Sequence, residues 1–292
     1  MYSAKIRLIS SMLIFGSIGI FVKWIPLPPT QIAFARGIIG SITLTMAFLL
    51  LKQKMNWVSV RGNLPFLIGS GCIFGYNWIF LFKAYQYTTI ANATLSYYCA
   101  PIIIVLLSPV IFKERLTLIK GICILSAMAG MLCITGAGDL LGDGHFIGIA
   151  YGLIAASLYA GVIIINKFLK DLPALESTLF QLAITSVAMM PYVFLSGRLR
   201  YAALDISGWT LLIIIGIIHT GLAFILFFPS IQKLSGQTTA ILSYIDPVSA
   251  IAMSWIVLHE KMNALQIVGG LLIIGAAFVS ELLGKRKEYV NK

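Results

Sequence analysis

The amino-acid sequence predicts an all-α integral membrane protein of ten transmembrane helices, arranged as two inverted five-helix repeats. Three observations carry that expectation. The 292 residues are 59% hydrophobic and only 11% charged, with a mean hydropathy of +0.96, whereas soluble domains hold about a quarter charged residues. A window of about 19 residues finds ten apolar spans along the chain. And Ile79, Phe82, Tyr98, Pro101, Ser108 and Glu114 recur as Ile225, Phe228, Tyr244, Pro247, Ser254 and Glu260, each 146 residues later (247 − 101 = 146), which is half the length of 292.

The spans cover residues 6–23, 31–51, 64–85, 92–111, 117–135, 146–166, 175–196, 208–229, 238–258 and 263–283. About 20 apolar residues cross the hydrocarbon core, so each is long enough to cross alone. Runs such as Ile102-Ile103-Ile104-Val105-Leu106-Leu107 lack the alternation a β-barrel strand requires. The first span is followed by Val22-Lys23-Trp24-Ile25-Pro26 instead of a small-residue cleavage pattern, so it is expected to stay in the protein. In the third span Gly71-xxx-Gly75, and in the sixth Gly148-xxx-Gly152, are expected to be close-packing faces. Pro101 and Pro247 lie within the fourth and ninth spans, where proline removes a backbone hydrogen bond and kinks a helix. Glu114 and Glu260 follow at the hairpin ends and are read as caps. The Gly/Asp stretch 136–144 joins the halves, giving a first repeat over 1–135, a second over 146–284 and a basic tail over 285–292. Cys72, Cys99, Cys123 and Cys133 all fall inside spans, which points to buried apolar residues and away from a disulfide framework or a metal site.

A net charge of +11 invites a nucleic-acid reading, but in a polytopic membrane protein basic residues set orientation. With the N-terminus in the cytoplasm, fifteen Lys and Arg fall on inner segments, from Lys5 to Lys292, and five on the outer side: Lys23, Lys83, Arg198, Arg200 and Lys261. Both termini are therefore expected inside. Because each half has an odd number of spans, the second half runs through the bilayer opposite to the first.

Each repeat carries Pro in its fourth helix and Glu thirteen residues on, in the phrases Ala100-Pro101-Ile102 with Lys113-Glu114-Arg115-Leu116, and Asp246-Pro247-Val248 with His259-Glu260-Lys261-Met262. With Arg36-Gly37 in the second helix, the whole chain resembles the EamA branch of the drug/metabolite transporter superfamily. That resemblance implies a substrate cavity between helices 1–4 and 6–9, with helices 5 and 10 peripheral. It says little about cargo, since the superfamily includes exporters of amino acids and metabolites and importers of amines and nucleotide-like compounds.

Asp246 is the one carboxylate deep inside a span, about nine residues into the ninth. A charge there costs at least ~2.5–3.5 kcal/mol unless it faces a cavity or a partner. Thr239, Ser243, Asp246, Ser249 and Ala250 make a polar, small stripe at helical spacing, the pattern of a face turned toward water or a partner helix. Two roles are open for the acid: a cavity-facing proton and ammonium site, or a structural hydrogen bond beside Pro247. His219, midway along the eighth span, is the matching candidate for a proton-coupling pair with Asp246, or a histidine simply bonded to a neighbouring helix. The first-half equivalents are Ala100 and Ile73 (246 − 146 and 219 − 146), so any coupling is placed asymmetrically on a symmetric frame. Tyr98 and Tyr244 correspond between halves and, with Tyr76, Trp78 and Tyr97, are candidate aromatic walls for a flat or cationic ligand. Such aromatics also pack or join interfacial belts. Asn77 and Ser243 are candidate polar contacts to substrate, and Arg36 either grips a carboxylate, locks a gate against Asp246 or snorkels to the outer surface.

No His-Glu-x-x-His helix, nucleophile with an orienting base, or Gly-x-x-x-x-Gly-Lys-Ser/Thr loop is present, which argues against a membrane enzyme and an ATP-driven pump. The expectation is a cofactor-free secondary carrier in the cytoplasmic membrane, monomer or homodimer, exporting amino acids or related amines with proton coupling. Proton-coupled import of a quaternary amine or nucleoside-like metabolite, and passive facilitation through a channel, remain the alternatives.

Overall fold

In lipid every backbone N–H and C=O must be satisfied within the segment, which favours helices for apolar spans. The computed structural model describes residues 2–88, 90–113, 117–135, 146–195, 197, 199–259 and 264–290, and these are helical without a strand. The N-terminal half holds α1 (Tyr2–Lys23), α2 (Pro29–Leu50), α3 (Trp57–Tyr87), α4 (Ile90–Tyr97), α5 (Ala100–Ile111) and α6 (Leu118–Thr135). The C-terminal half holds α7 (Phe146–Asn166), α8 (Ala174–Leu195), α9 (Ile206–Ile214), a π-helical stretch Ile215–Leu222, α10 (Ala223–Lys233), α11 (Gly236–Ser243), α12 (Ile245–Leu258) and α13 (Ala264–Val290). The expected linker 136–144 and the expected caps Glu114 and Glu260 lie outside the described residues.

Seven helical stretches among the described residues are long and apolar enough to cross a membrane. The remaining spans contain, among the described residues, the shorter apolar helices Ala100–Ile111, Leu118–Cys133 and Ile267–Val279.

The fourth and ninth spans are each interrupted by a short turn, at residues 98–99 and at Tyr244. α4 and α11 are each eight residues long and their bounds differ by 146 (236 − 90). After each break comes a second helix with its proline in the first turn, Pro101 in α5 and Pro247 in α12. Proline fits there because first-turn N–H groups have no intrahelical acceptor to lose. Lys113 and His259, again 146 apart, both follow their helix in the left-handed conformation, at φ 54° and 53°, a common way to end a helix. Thus the duplication is visible in backbone geometry as well as in side-chain identities.

Small residues let helices approach closely. A Cβ on Gly71 would lie 2.7 Å from Ile184, and one on Gly75 would lie 2.9 Å from the Thr185 carbonyl, so these two positions seat α3 against α8. Gly148 and Gly152 do the same for α7 against Thr88 and Ser96. Between α3, α7 and α8 runs a buried polar network that the sequence does not suggest. The Gln181 and Asn166 amides exchange hydrogen bonds at 3.0 and 2.8 Å, and Gln181 also donates to Ser177 Oγ at 2.9 Å and accepts from Ser70 Oγ at 2.5 Å. Removing one member strands the others in an apolar interior. Gln181→Ala is expected to destabilise the protein by about 1–2 kcal/mol, read as a lower unfolding temperature in detergent; an unchanged temperature would show the network to be energetically idle.

Candidate functional site

The α11–α12 break puts Asp246 in the first turn of α12. Unpaired N–H groups and the positive end of the helix dipole favour a carboxylate at that position. Asp246 opens onto a small cavity, whose wall it shares with Tyr97, Tyr98, Tyr159 and Ser243. Met12 from α1, with Ala100 and Pro101 from the first-half break, completes the lining. The two broken helices therefore meet across the same space, and the position equivalent to Asp246 is the inert Ala100.

Tyr98 donates its hydroxyl to the Asp246 carboxylate. Its ring stacks on Tyr244 at 6.2 Å between centroids and 27° between planes. Tyr244, fully buried, donates its own hydroxyl to the Tyr98 carbonyl at 3.0 Å. The repeat-related tyrosines thus divide the work: Tyr98 touches the acid, and Tyr244 holds Tyr98 in place from behind. Tyr97 packs on Tyr159 at 5.5 Å, and the Tyr159 hydroxyl meets Ser243, whose own Oγ donates to the Thr239 carbonyl at 2.8 Å. Tyr85 also stands within electrostatic reach of Asp246. A carboxylate walled by tyrosine side chains suits an ammonium group, through ion pairing and, where a ring turns its face to the cation, cation–π attraction worth roughly 0.5–2 kcal/mol per ring.

His219 and Asp246 have different partners. The His219 ring shares a hydrogen bond from Nε2 to Ser17 Oγ at 2.9 Å and packs edge-on to Phe21 at 4.8 Å. Gly16, next to Ser17 on α1, instead faces α12, where a Cβ would lie 2.7 Å from the Asp246 carbonyl. Helix α1 thus touches both, the histidine through Ser17 and the backbone of Asp246 through Gly16.

The remaining expected contacts are distributed as follows. Asn77 is buried between α3 and α7, donating to the Ala155 carbonyl at 2.6 Å while its Oδ1 has no partner. Trp78 is 4% exposed and packs on Phe74 at 4.8 Å, with the Arg36 guanidinium 4.1 Å above its ring. Tyr76 points the other way, 51% exposed, and does not line the cavity. Tyr159, Tyr85 and Met12 join the site without having been expected from the sequence. The available signal was a tyrosine in mid-span, since a phenol in lipid needs a hydrogen-bond partner, but nothing along the chain says which helix supplies it.

At the loop between α8 and α9, outside the spans, Tyr201 donates to the Gln31 carbonyl at 2.8 Å and the Arg200 N–H donates to Gln31 Oε1 at 3.0 Å. Burial pushes the Tyr201 hydroxyl up to about 12, so it remains a donor and keeps this loop tied to α2.

One family model, the EamA-like transporter family, matches twice, over residues 3–136 and 146–282. The chain belongs to the EamA-like transporter family. As an EamA protein it is a multi-pass integral membrane transporter and not an enzyme. Its relatives include an uncharacterized transporter, YxxF, of Bacillus subtilis strain 168, 27% identical over 277 residues, covering 93% of this chain and 87% of YxxF. They also include the pseudopaline exporter CntI of Pseudomonas aeruginosa UCBPP-PA14, 25% identical over 251 residues, covering 86% and 85%. A solved crystal structure superposes with a TM-score of 0.81 over 97% of this chain and 99% of that one; at 21% identity it speaks for the shared fold alone.

Proposed function

We propose that this EamA protein is a proton-coupled secondary carrier that exports small amine-bearing metabolites, amino acids or related amines, across the cytoplasmic membrane. The observation that carries this reading is Asp246 at a helix turn, hydrogen-bonded by Tyr98 and sharing a small cavity with Tyr97 and Tyr159. Broken helices lining a site between repeats are a recurrent plan of secondary transporters.

In this reading the ten spans form two inverted repeats over 1–135 and 146–284, with both termini in the cytoplasm, and one bundle rocks against the other around the cavity. The 146-residue spacing of the α4–α5 and α11–α12 breaks supports the repeat, and the fifteen-to-five distribution of basic residues supports the orientation. An ammonium group and a proton compete for the one carboxylate, so occupancy by either returns the carrier, which makes exchange the natural mode. His219 acts on the same cycle through Ser17 and α1. Arg36 is either a gate or an anion contact. The exporter name of the Pseudomonas aeruginosa relative supports the outward direction.

Purified protein in liposomes loaded with an unlabelled amino acid is expected to concentrate the labelled one transiently by counterflow, and to drive its movement when a pH gradient is imposed. Equilibration without counterflow would indicate a channel. Cells overproducing the protein should gain tolerance to a toxic amino-acid analogue; sensitisation with accumulation of the label would replace export by import.

A further inference from the structure

The Arg36 side chain is the unused charge of this interior. It projects from α2 with its Cζ 4.1 Å above the Trp78 ring, and its Nε is buried without a hydrogen-bond partner. A cation within the bilayer is costly unless it faces an acceptor or a cavity. Stacking on Trp78 occupies one face of the guanidinium and fixes its plane. The N–H donors lie in that plane, where stacking does not use them, and their fork matches the two oxygens of a carboxylate. Tyr97 joins this group to the cavity: it forms part of the wall beside Asp246 and stands within electrostatic reach of both Asp246 and Arg36.

We propose that Arg36 is the second pole of the cargo site: it receives a carboxylate, so the transported molecule is dipolar, with an ammonium group for Asp246 and a carboxylate for Arg36. This rests on the reading that the cavity takes an amine-bearing cargo. Charge balance selects the class. A simple amine neutralises Asp246 and leaves Arg36 uncompensated in the bilayer, and a simple carboxylate does the reverse. A zwitterion answers both and adds no net charge to the interior. Trp78, from sequence a candidate wall for substrate, is then the platform that orients Arg36, and Arg36 is a specificity-determining residue.

The test compares, on the purified full-length protein, the unfolding-temperature shifts produced by free L-amino acids, their methyl esters (ammonium only) and their N-acetyl forms (carboxylate only). At least one free amino acid is expected to stabilise the protein, with its ester and its N-acetyl form binding about thirtyfold or more weakly, the scale of losing one partner of a buried charge contact. In Arg36→Gln the amino acid should fall to the affinity of its ester while the ester is unchanged, and Arg36→Lys should restore part of the difference. If the glutamine variant does not fold, the comparison within the wild-type protein decides. Equal binding of ester and amino acid would overturn the dipolar cargo and leave the amine site standing. No stabilisation by any of the three classes would overturn both.

Discussion

Replacing Asp246 with asparagine is expected to abolish pH-driven transport in proteoliposomes, down to the rate of protein-free vesicles, while leaving the protein folded. Asparagine keeps the shape of the side chain and can still accept from the Tyr98 hydroxyl, so the α11–α12 break and the cavity wall should survive. What is removed is the negative charge and the ability to take a proton. Binding of an amine-bearing cargo should weaken by about thirtyfold or more, since one partner of a buried charge pair is gone. The wild-type rate should vary with pH, and the residual rate of the variant should not. Retention of both pH-driven flux and cargo affinity by Asp246→Asn, with an unfolding temperature like that of the wild type, would make the acid structural and move the coupling elsewhere.

Gly16→Ala should be nearly as damaging although it adds a single methyl group. A Cβ at Gly16 would lie 1.8 Å from Ser249 Oγ, 2.7 Å from the Asp246 carbonyl oxygen and 2.8 Å from the Ala250 nitrogen. The serine hydroxyl can rotate away, but two of these three atoms are backbone of α12 and can give way only if the helices separate. Overpacking of this kind costs about 1–3 kcal/mol. It also displaces the first turn of α12, which positions Asp246. The unfolding temperature should fall and transport should be lost even below it. A Cβ on Gly19, about one turn along the same helix, would have nothing within 4 Å. Gly19→Ala is therefore the matched control, expected to be neutral or slightly stabilising because alanine favours the helix over glycine by up to about 1 kcal/mol. Equal effects of the two substitutions would mean that helix propensity, and not the α1–α12 contact, is being measured.

The residues that could be read in advance are those whose message is local. Asp246 was legible because a carboxylate within an apolar run is costly wherever the run packs. The repeat was legible because a constant 146-residue offset needs no structure to be seen. The pairs Gly71/Gly75 and Gly148/Gly152 announced close packing by spacing alone, and they do seat α3 and α7 against their neighbours. Trp78 and Tyr76 were not separable in the same way. In a helix apolar on every side, adjacent aromatics carry no mark of which one faces the interior, and one is 4% exposed and the other 51%.

By itself the sequence determined the solvent, the helical architecture, the duplication and the identity of the mid-span acid, because each follows from composition or from distances along one chain. Only the tertiary structure decided what stands around that acid. It brought Tyr159 from α7 to the wall beside Asp246 and set Tyr98 on the carboxylate with Tyr244 behind it. It also gave His219 to Ser17 of α1. The polar network around Gln181 arose in the same way, from side chains on three helices whose rotations the sequence does not record. Within a bilayer apolar residues are indifferent to which neighbour they face, so hydrophobic patterning, which orients helices in water, specifies little. The choice falls to small-residue contacts and to polar groups that must find one another across helices.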